Sequence, residues 1–234
     1  MAKTAIMQPY FMPYLGYWQL IHAVDHFVFY DDVNFIKKGW VNRNQTADAE
    51  QAHRFTVPLQ KASQNTRICD LKLADLETWK NKWFTALKYQ YAKAPKLKFT
   101  LELLDEGFQS AEGIADLCWN TNVQIHQLFG MQTKLYRSSI HFPSTQQLGR
   151  VERLASITKA CASETYVNPP GGKELYSSAD FKAHGLALKF LQPTLHTYNR
   201  GKGVFIPGLS IIDPIMWLGV EGCKALLDGY SLEN

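Results

Sequence analysis

No two cysteines in this chain are close enough to form a C-x-x-C pair. The four, Cys69, Cys118, Cys161 and Cys223, are widely spaced, which argues against a zinc knuckle or disulfide framework and fits a reducing cytoplasm. No run approaches 18 uninterrupted apolar residues, so no membrane span is expected. The opening MAKTAIMQPYF is too short in its apolar run, and too aromatic, for a signal peptide. A G-x-S-x-G elbow is missing, which removes the usual serine hydrolase. So is the G-x-x-x-x-G-K-[ST] of a Walker loop. None of the seven histidines pairs with a recognisable nucleophile, and no metal-ligand spacing occurs, so no metal is expected. The net charge of +4 is mild and dispersed. It permits an anionic substrate but gives no nucleic-acid footprint. Low-complexity linkers and internal repeats are likewise lacking. What remains is a globular chain of 234 residues, 46% hydrophobic and 13% aromatic, enough for a core that needs no staples.

The stretch Thr4–Gln45 organises the rest. Thr4 to Met7 reads as a short buried strand, stopped at Gln8-Pro9 because proline has no N–H for a sheet ladder. A Tyr/Phe/Pro-rich loop follows, then a short helix carrying Trp18, Leu20, Ile21 and Val24. Phe27 to Tyr30 reads as a second buried strand, ending at Asp31-Asp32. This is a strand–loop–helix–strand unit. In open α/β sheets ligands bind beyond the carboxyl ends of the strands, where Gln8, Asp31 and Asp32 would sit.

Further along, His53–Pro58 and Ile68–Leu73 read as strands, paired as a hairpin across the polar QKASQNTR. Trp79, Trp83, Leu87 and Tyr91 recur at helical spacing, and helices from Pro95 and Ser110 follow. These three form a helical insertion at about 76–130. Lys134–Arg137 is a strand, a helix capped by Ser144 follows it, and Glu164–Asn168 is another strand. Glu174–His184 reads as a helix, Leu186–Leu191 as a strand and Ser210–Leu227 as the closing helix, with Asp213 completing a capping pair with Ser210. The alternation argues for one α/β unit over residues 1–234, with a Rossmann-like, mostly parallel sheet and a helical insertion or lobe.

Four groups of residues are candidates for chemistry. In Gln8–Tyr17, the residues Gln8, Tyr10, Tyr14, Gly16 and Tyr17 follow the first strand and precede a helix. They resemble in placement the H-x-G-H loop of the nucleotidyl-transfer superfamily, with Tyr14-Leu15-Gly16-Tyr17 standing where the two histidines would be; alternatively, the tyrosines pack the helix entry. Asp31 or Asp32 can act as a base or hold a ribose hydroxyl, or one of them caps the next turn. Lys37, Lys38, Asn42, Arg43 and Asn44 surround Trp40 with cations and amides suited to phosphate or carboxylate. Gly171 and Gly172 precede a helix and can offer N–H groups to an anion, or simply turn the chain. His53 is the one histidine kept as a candidate base.

The blocks QPYFMPYLGYWQLI, HFVFYDDVNFIKKGWVNRNQ and LSIIDPIMWLG, supported by FTVPL and YVNPPGGKELY, resemble the WbqC-like family over nearly the whole chain. At Asn168-Pro169-Pro170 the chain departs from the Ser-Gly-type residues expected there. Members are typically bacterial and often belong to gene sets for O-antigen and other surface polysaccharides. The resemblance therefore implies a transferase that places an acyl or aminoacyl group, with glycine a candidate, on an amino sugar. Its implied partners are a nucleotide-linked amino sugar and an acyl donor, with a carrier protein, coenzyme A and an adenylate all open; no cofactor is identified. Asp31, Asp32 and His53 are the candidate bases under this reading. Two alternatives stay open: an ATP-dependent carboxylate-activating or nucleotidyl-transfer enzyme, and a non-catalytic sugar-nucleotide-binding protein.

Overall fold

The computed structural model describes residues 1–234 and centres on a six-stranded sheet. Its strands are β1 (Lys3–Met7), β2 (His26–Phe29), β5 (Lys134–Arg137), β6 (Thr165–Asn168), β7 (Ala187–Pro193) and β8 (Tyr230–Glu233), in the order β5-β2-β1-β6-β7-β8. All neighbours are parallel except β7 and β8. This is the mixed α/β, Rossmann-like arrangement read from the sequence. The antiparallel edge strand β8 was not foreseen. Its four residues alternate half-buried and exposed, too short a run to register as a pattern.

Because side chains alternate across a strand, each central strand feeds two cores. Ala5, Phe27, Phe29, Val167 and Leu191 point into the larger one, with α1 (Leu15–His22), α4 (Ile114–Leu128) and α8 (Ile212–Lys224). Ile6, Val28, Tyr166, Leu188 and Phe190 point into the smaller one, against α6 (Arg150–Ala160) and α7 (Ser178–Ala183). No helix is long and apolar enough to cross a membrane.

The remaining pieces include α2 (Leu76–Gln90), α3 (Leu97–Gly107), the single turn α5 (Ser138–His141) and a separate hairpin of β3 (Arg43–Ala47) with β4 (Ala52–Thr56). That hairpin corrects the expected pairing of residues 53–58 with 68–73. Polar Asn44 and Thr46 are the inward residues of β3, at 0% and 1% exposure, so an apolar pattern misses the strand. Segment 68–73 instead gives its N–H groups to the loop after β2, from Ile68 to the Val33 carbonyl and from Cys69 to that of Asp31. The capping pair expected at α8 is also replaced. Ser210 Oγ donates to the Met12 carbonyl, and Asp213 is taken by Arg200 at 2.8 Å, with Tyr91 and Tyr198 hydroxyls at 2.8 and 2.6 Å.

Candidate functional site

From β1 the chain runs to β2 and β5 on one side, and β6, β7 and β8 lie on the other. The order reverses between β1 and β6, and at such a switch point the carboxyl ends of the strands leave a crevice. A cleft of about 300 Å³ opens there. Its floor and one wall come from Met7, Gln8, Pro9, Tyr10, Tyr14, Gly16, Tyr17 and Leu20. A second wall is the turn after β2, with Ile36, Gly39, Trp40 and Val41, and a third is Pro169, Leu191 and Pro193.

The loop that forms the floor is held with almost no freedom. The carbonyls of Gln8, Tyr10, Phe11, Met12 and Pro13 accept bonds from Tyr17 Oη, Asn122 Nδ2, Asn44 Nδ2, Ser210 Oγ and Trp18 Nε1. Asn44 Nδ2 also reaches the Met12 carbonyl. The Phe11 ring is enclosed by Phe55, Trp79, Trp83 and Phe108. Met12 takes a left-handed φ of 48°, a conformation that survives for a non-glycine residue only when its surroundings over-determine it.

Aromatic rings dominate the cleft. Tyr10 meets Tyr17 edge-on at 5.9 Å and Trp40 at 6.0 Å. Tyr14 lies over Gly16 so closely that a Cβ there would be 2.5 Å from its ring; glycine is what lets the phenol sit down. Burial raises the pKa of all three tyrosines above the usual phenol value, for Tyr10 with help from nearby Tyr14 and for Tyr17 from nearby Cys118. They therefore stay protonated, and act as donors, across the physiological range. No lining residue is an acid, a histidine, a lysine, an arginine or a cysteine.

Of the sequence candidates, Gln8, Tyr10, Tyr14, Gly16 and Tyr17 come together here. Lys37 and Lys38 stand exposed on the turn at the mouth, Lys38 with φ 65°. Arg43 Nε donates to the Gly39 carbonyl at 2.9 Å and braces that turn. Asn42 and Asn44 are buried away from the cleft, bonding Val57 and the floor loop. Gly172 packs under Asn168, Gly171 faces open space, and the adjacent Pro169 is what lines the cleft. Trp40 was visible only as an oddity in a polar run, whereas Leu191 and Pro193 carry no local sequence signal.

Asp31 and Asp32 lie in a buried network beside the cleft. Asp31, 0% exposed, accepts from Arg137 Nε, Ser139 N–H and Ser139 Oγ at 2.8, 2.9 and 2.8 Å. Asp32 accepts from Arg153 Nη2, Gln146 Nε2 and Ser138 Oγ at 2.6, 2.9 and 2.5 Å. Both carboxylates are occupied, and they anchor the start of the turn that carries Trp40. His53 Nε2 pairs with Asp48 at 2.7 Å at the far end of the hairpin. The Gln51 N–H, then His53, then the Glu50 N–H hold the Asp48 carboxyl down at about 2. No three His, Cys, Asp or Glu side chains converge in a way that would hold a metal ion.

This chain is 26% identical over 224 residues to the uncharacterized protein Rv1507c of Mycobacterium tuberculosis, an alignment spanning 94% of this chain and 96% of that one. No solved structure matches it. The model of the WbqC-like protein family matches residues 8–225, covering every residue that lines the cleft except Met7. The chain belongs to the WbqC-like protein family.

Proposed function

We propose that the cleft binds a nucleotide-linked amino sugar and that the protein transfers an acyl or aminoacyl group, with glycine a candidate, to its amine during surface-polysaccharide assembly. The observation that carries this reading is the segregation of charge. An uncharged aromatic cleft at the switch point suits the flat faces of a base or sugar, while Lys37, Lys38 and Arg43 around its mouth suit phosphates. In the transfer, the amine nitrogen attacks the acyl carbonyl, the C–N bond forms, and the bond to the donor's leaving group breaks. The amine proton leaves with that group or to solvent, since no lining side chain is a base. Tyr10 and Tyr14, as protonated phenols, are suited to donate to the carbonyl oxygen as it gains charge. Asp31 and Asp32 serve in this reading as positioning residues for the Trp40 turn.

A second reading, sugar-nucleotide binding without turnover, is favoured by that same lack of an acid or base in the lining. Thermal melts with ATP–magnesium, coenzyme A thioesters and nucleotide-linked amino sugars separate the possibilities. Stabilisation by an amino-sugar nucleotide, lost in Trp40→Ala, is expected. Stabilisation by ATP alone would move the reading to carboxylate activation, and no shift with any compound would sink it. Mass spectrometry for an N-acylated sugar then distinguishes transfer from binding.

A further inference from the structure

A ligand that fills a cleft without charged walls must leave its anionic part outside, at the mouth. Arg54, next to His53 on β4, approaches that mouth through Trp40, whose ring lines the cleft. Adjacent strand residues face opposite ways. On β4, Phe55 is buried under Phe11, whereas Ala52, Arg54 and Thr56 are exposed. His53 is spent on Asp48. The Arg54 guanidinium lies over the Trp40 ring, with Cζ 5.9 Å from its centroid. Trp40 in turn meets Tyr10 at a tilt, and Tyr10 meets Tyr17 edge-on, so a chain of ring contacts runs from the hairpin to the cleft floor. Arg54 has no carboxylate within ion-pairing distance and makes no side-chain hydrogen bond, unlike Arg67, Arg137, Arg153 and Arg200. With no acceptor spent on them, the guanidinium N–H groups keep the fork that fits phosphate oxygens.

We infer that Arg54 joins Lys37, Lys38 and Arg43 as an anion-recognising residue of this site, its fork binding the diphosphate of a ligand whose uncharged ring lies against Trp40 and Tyr10. This rests on the reading of the cleft as a sugar-nucleotide site and extends it to the hairpin, which becomes part of the binding surface. Arginine there sets specificity for a phosphate-bearing ligand over the bare nucleoside.

The test is calorimetric titration of the full chain with the diphosphates of uridine, thymidine, guanosine, cytidine and adenosine, and with the corresponding nucleosides, at two salt concentrations. Arg54→Gln should weaken the best-binding diphosphate by about tenfold or more, the scale of a charge-assisted hydrogen bond. Its nucleoside should change by less than about twofold on that same scale. Arg54→Lys, with charge but no fork, should fall between. The exposed, unpaired Lys159 on α6 provides a folding-neutral control, Lys159→Gln, expected to match the parent. Unchanged diphosphate affinity in Arg54→Gln overturns the assignment and leaves the cleft reading intact. Equal losses of nucleoside and diphosphate also overturn it, since Arg54 would then act only by holding Trp40. If the parent protein binds none of the nucleotides, both the assignment and the cleft reading fall.

Discussion

Asp32→Asn separates an anchoring carboxylate from a catalytic one. The substitution keeps the shape but removes the charge that balances Arg153, which is 5% exposed and lies 4.6 Å over the Tyr30 ring. All three donors that converge on the carboxylate, Arg153, Gln146 and Ser138, would meet an amide that can accept through one oxygen only. Breaking a buried pair by removing one partner costs about 3–5 kcal/mol, a large share of the ~5–15 kcal/mol that holds a domain folded. At roughly 2–4 °C per kcal/mol for a chain of this size, the melting point should fall by roughly 6–20 °C. Urea unfolding followed by circular dichroism measures the loss directly. Asp32→Leu combined with Arg153→Met should recover most of it, because an apolar pair avoids both desolvation costs. A single mutant within about 1 kcal/mol of the parent, well below the cost of breaking a buried pair, would refute the buried network as described. If that mutant also lost turnover while still binding ligand, Asp32 would return as a catalytic group.

Gly16→Ala should leave the melting point unchanged or slightly raised, since alanine favours a helix by about 0.5–1 kcal/mol over glycine. Its methyl group would nonetheless push Tyr14 off the cleft wall, and calorimetry should show ligand affinity reduced by roughly 2–12-fold, the scale of one aromatic contact. Burial, reinforced for His26 by Lys134, lowers the pKa of His26 and His126 below the ordinary histidine value. The unfolded chain then takes up protons first, so stability is full at neutral pH and falls as pH drops below about 6.5. Urea midpoints at a series of pH values should follow this slope, and His26→Gln with His126→Gln should flatten it.

The opening unit was legible because each of its signals is local: the apolar tetrapeptide of β1, the proline that ends it, and the Gly16 helix entry. The parallel pairing of β1 with β2 follows from the helical crossover between them. The partners of Asp31 and Asp32 were not legible, since Arg137 and Arg153 lie 106 and 121 residues away from them and nothing near the aspartates announces them. Asn42 and Asn44 read as ligand-binding amides because a sequence does not distinguish an amide facing solvent from one bonding a neighbouring carbonyl. Which way His53 and Arg54 point depends on the face of β4, and that face is set by its register with β3, a strand whose buried residues include polar Asn44 and Thr46.

The central strand of the sheet acquires its two neighbours at very different times. β1 can pair with β2 as soon as about 30 residues exist, but β6, its other partner, begins at Thr165. At ~5–20 residues per second of synthesis, that edge waits roughly 7–30 s for its partner. During the wait, Lys3–Met7 offers an unpaired row of backbone groups flanked by aromatic surface, a template for pairing with another nascent chain. The third wall of the cleft, ending at Pro193, arrives later still, so the ligand cannot assist the early steps of folding. Slowing initiation, which spaces nascent chains apart, should therefore raise soluble yield more than adding ligand does.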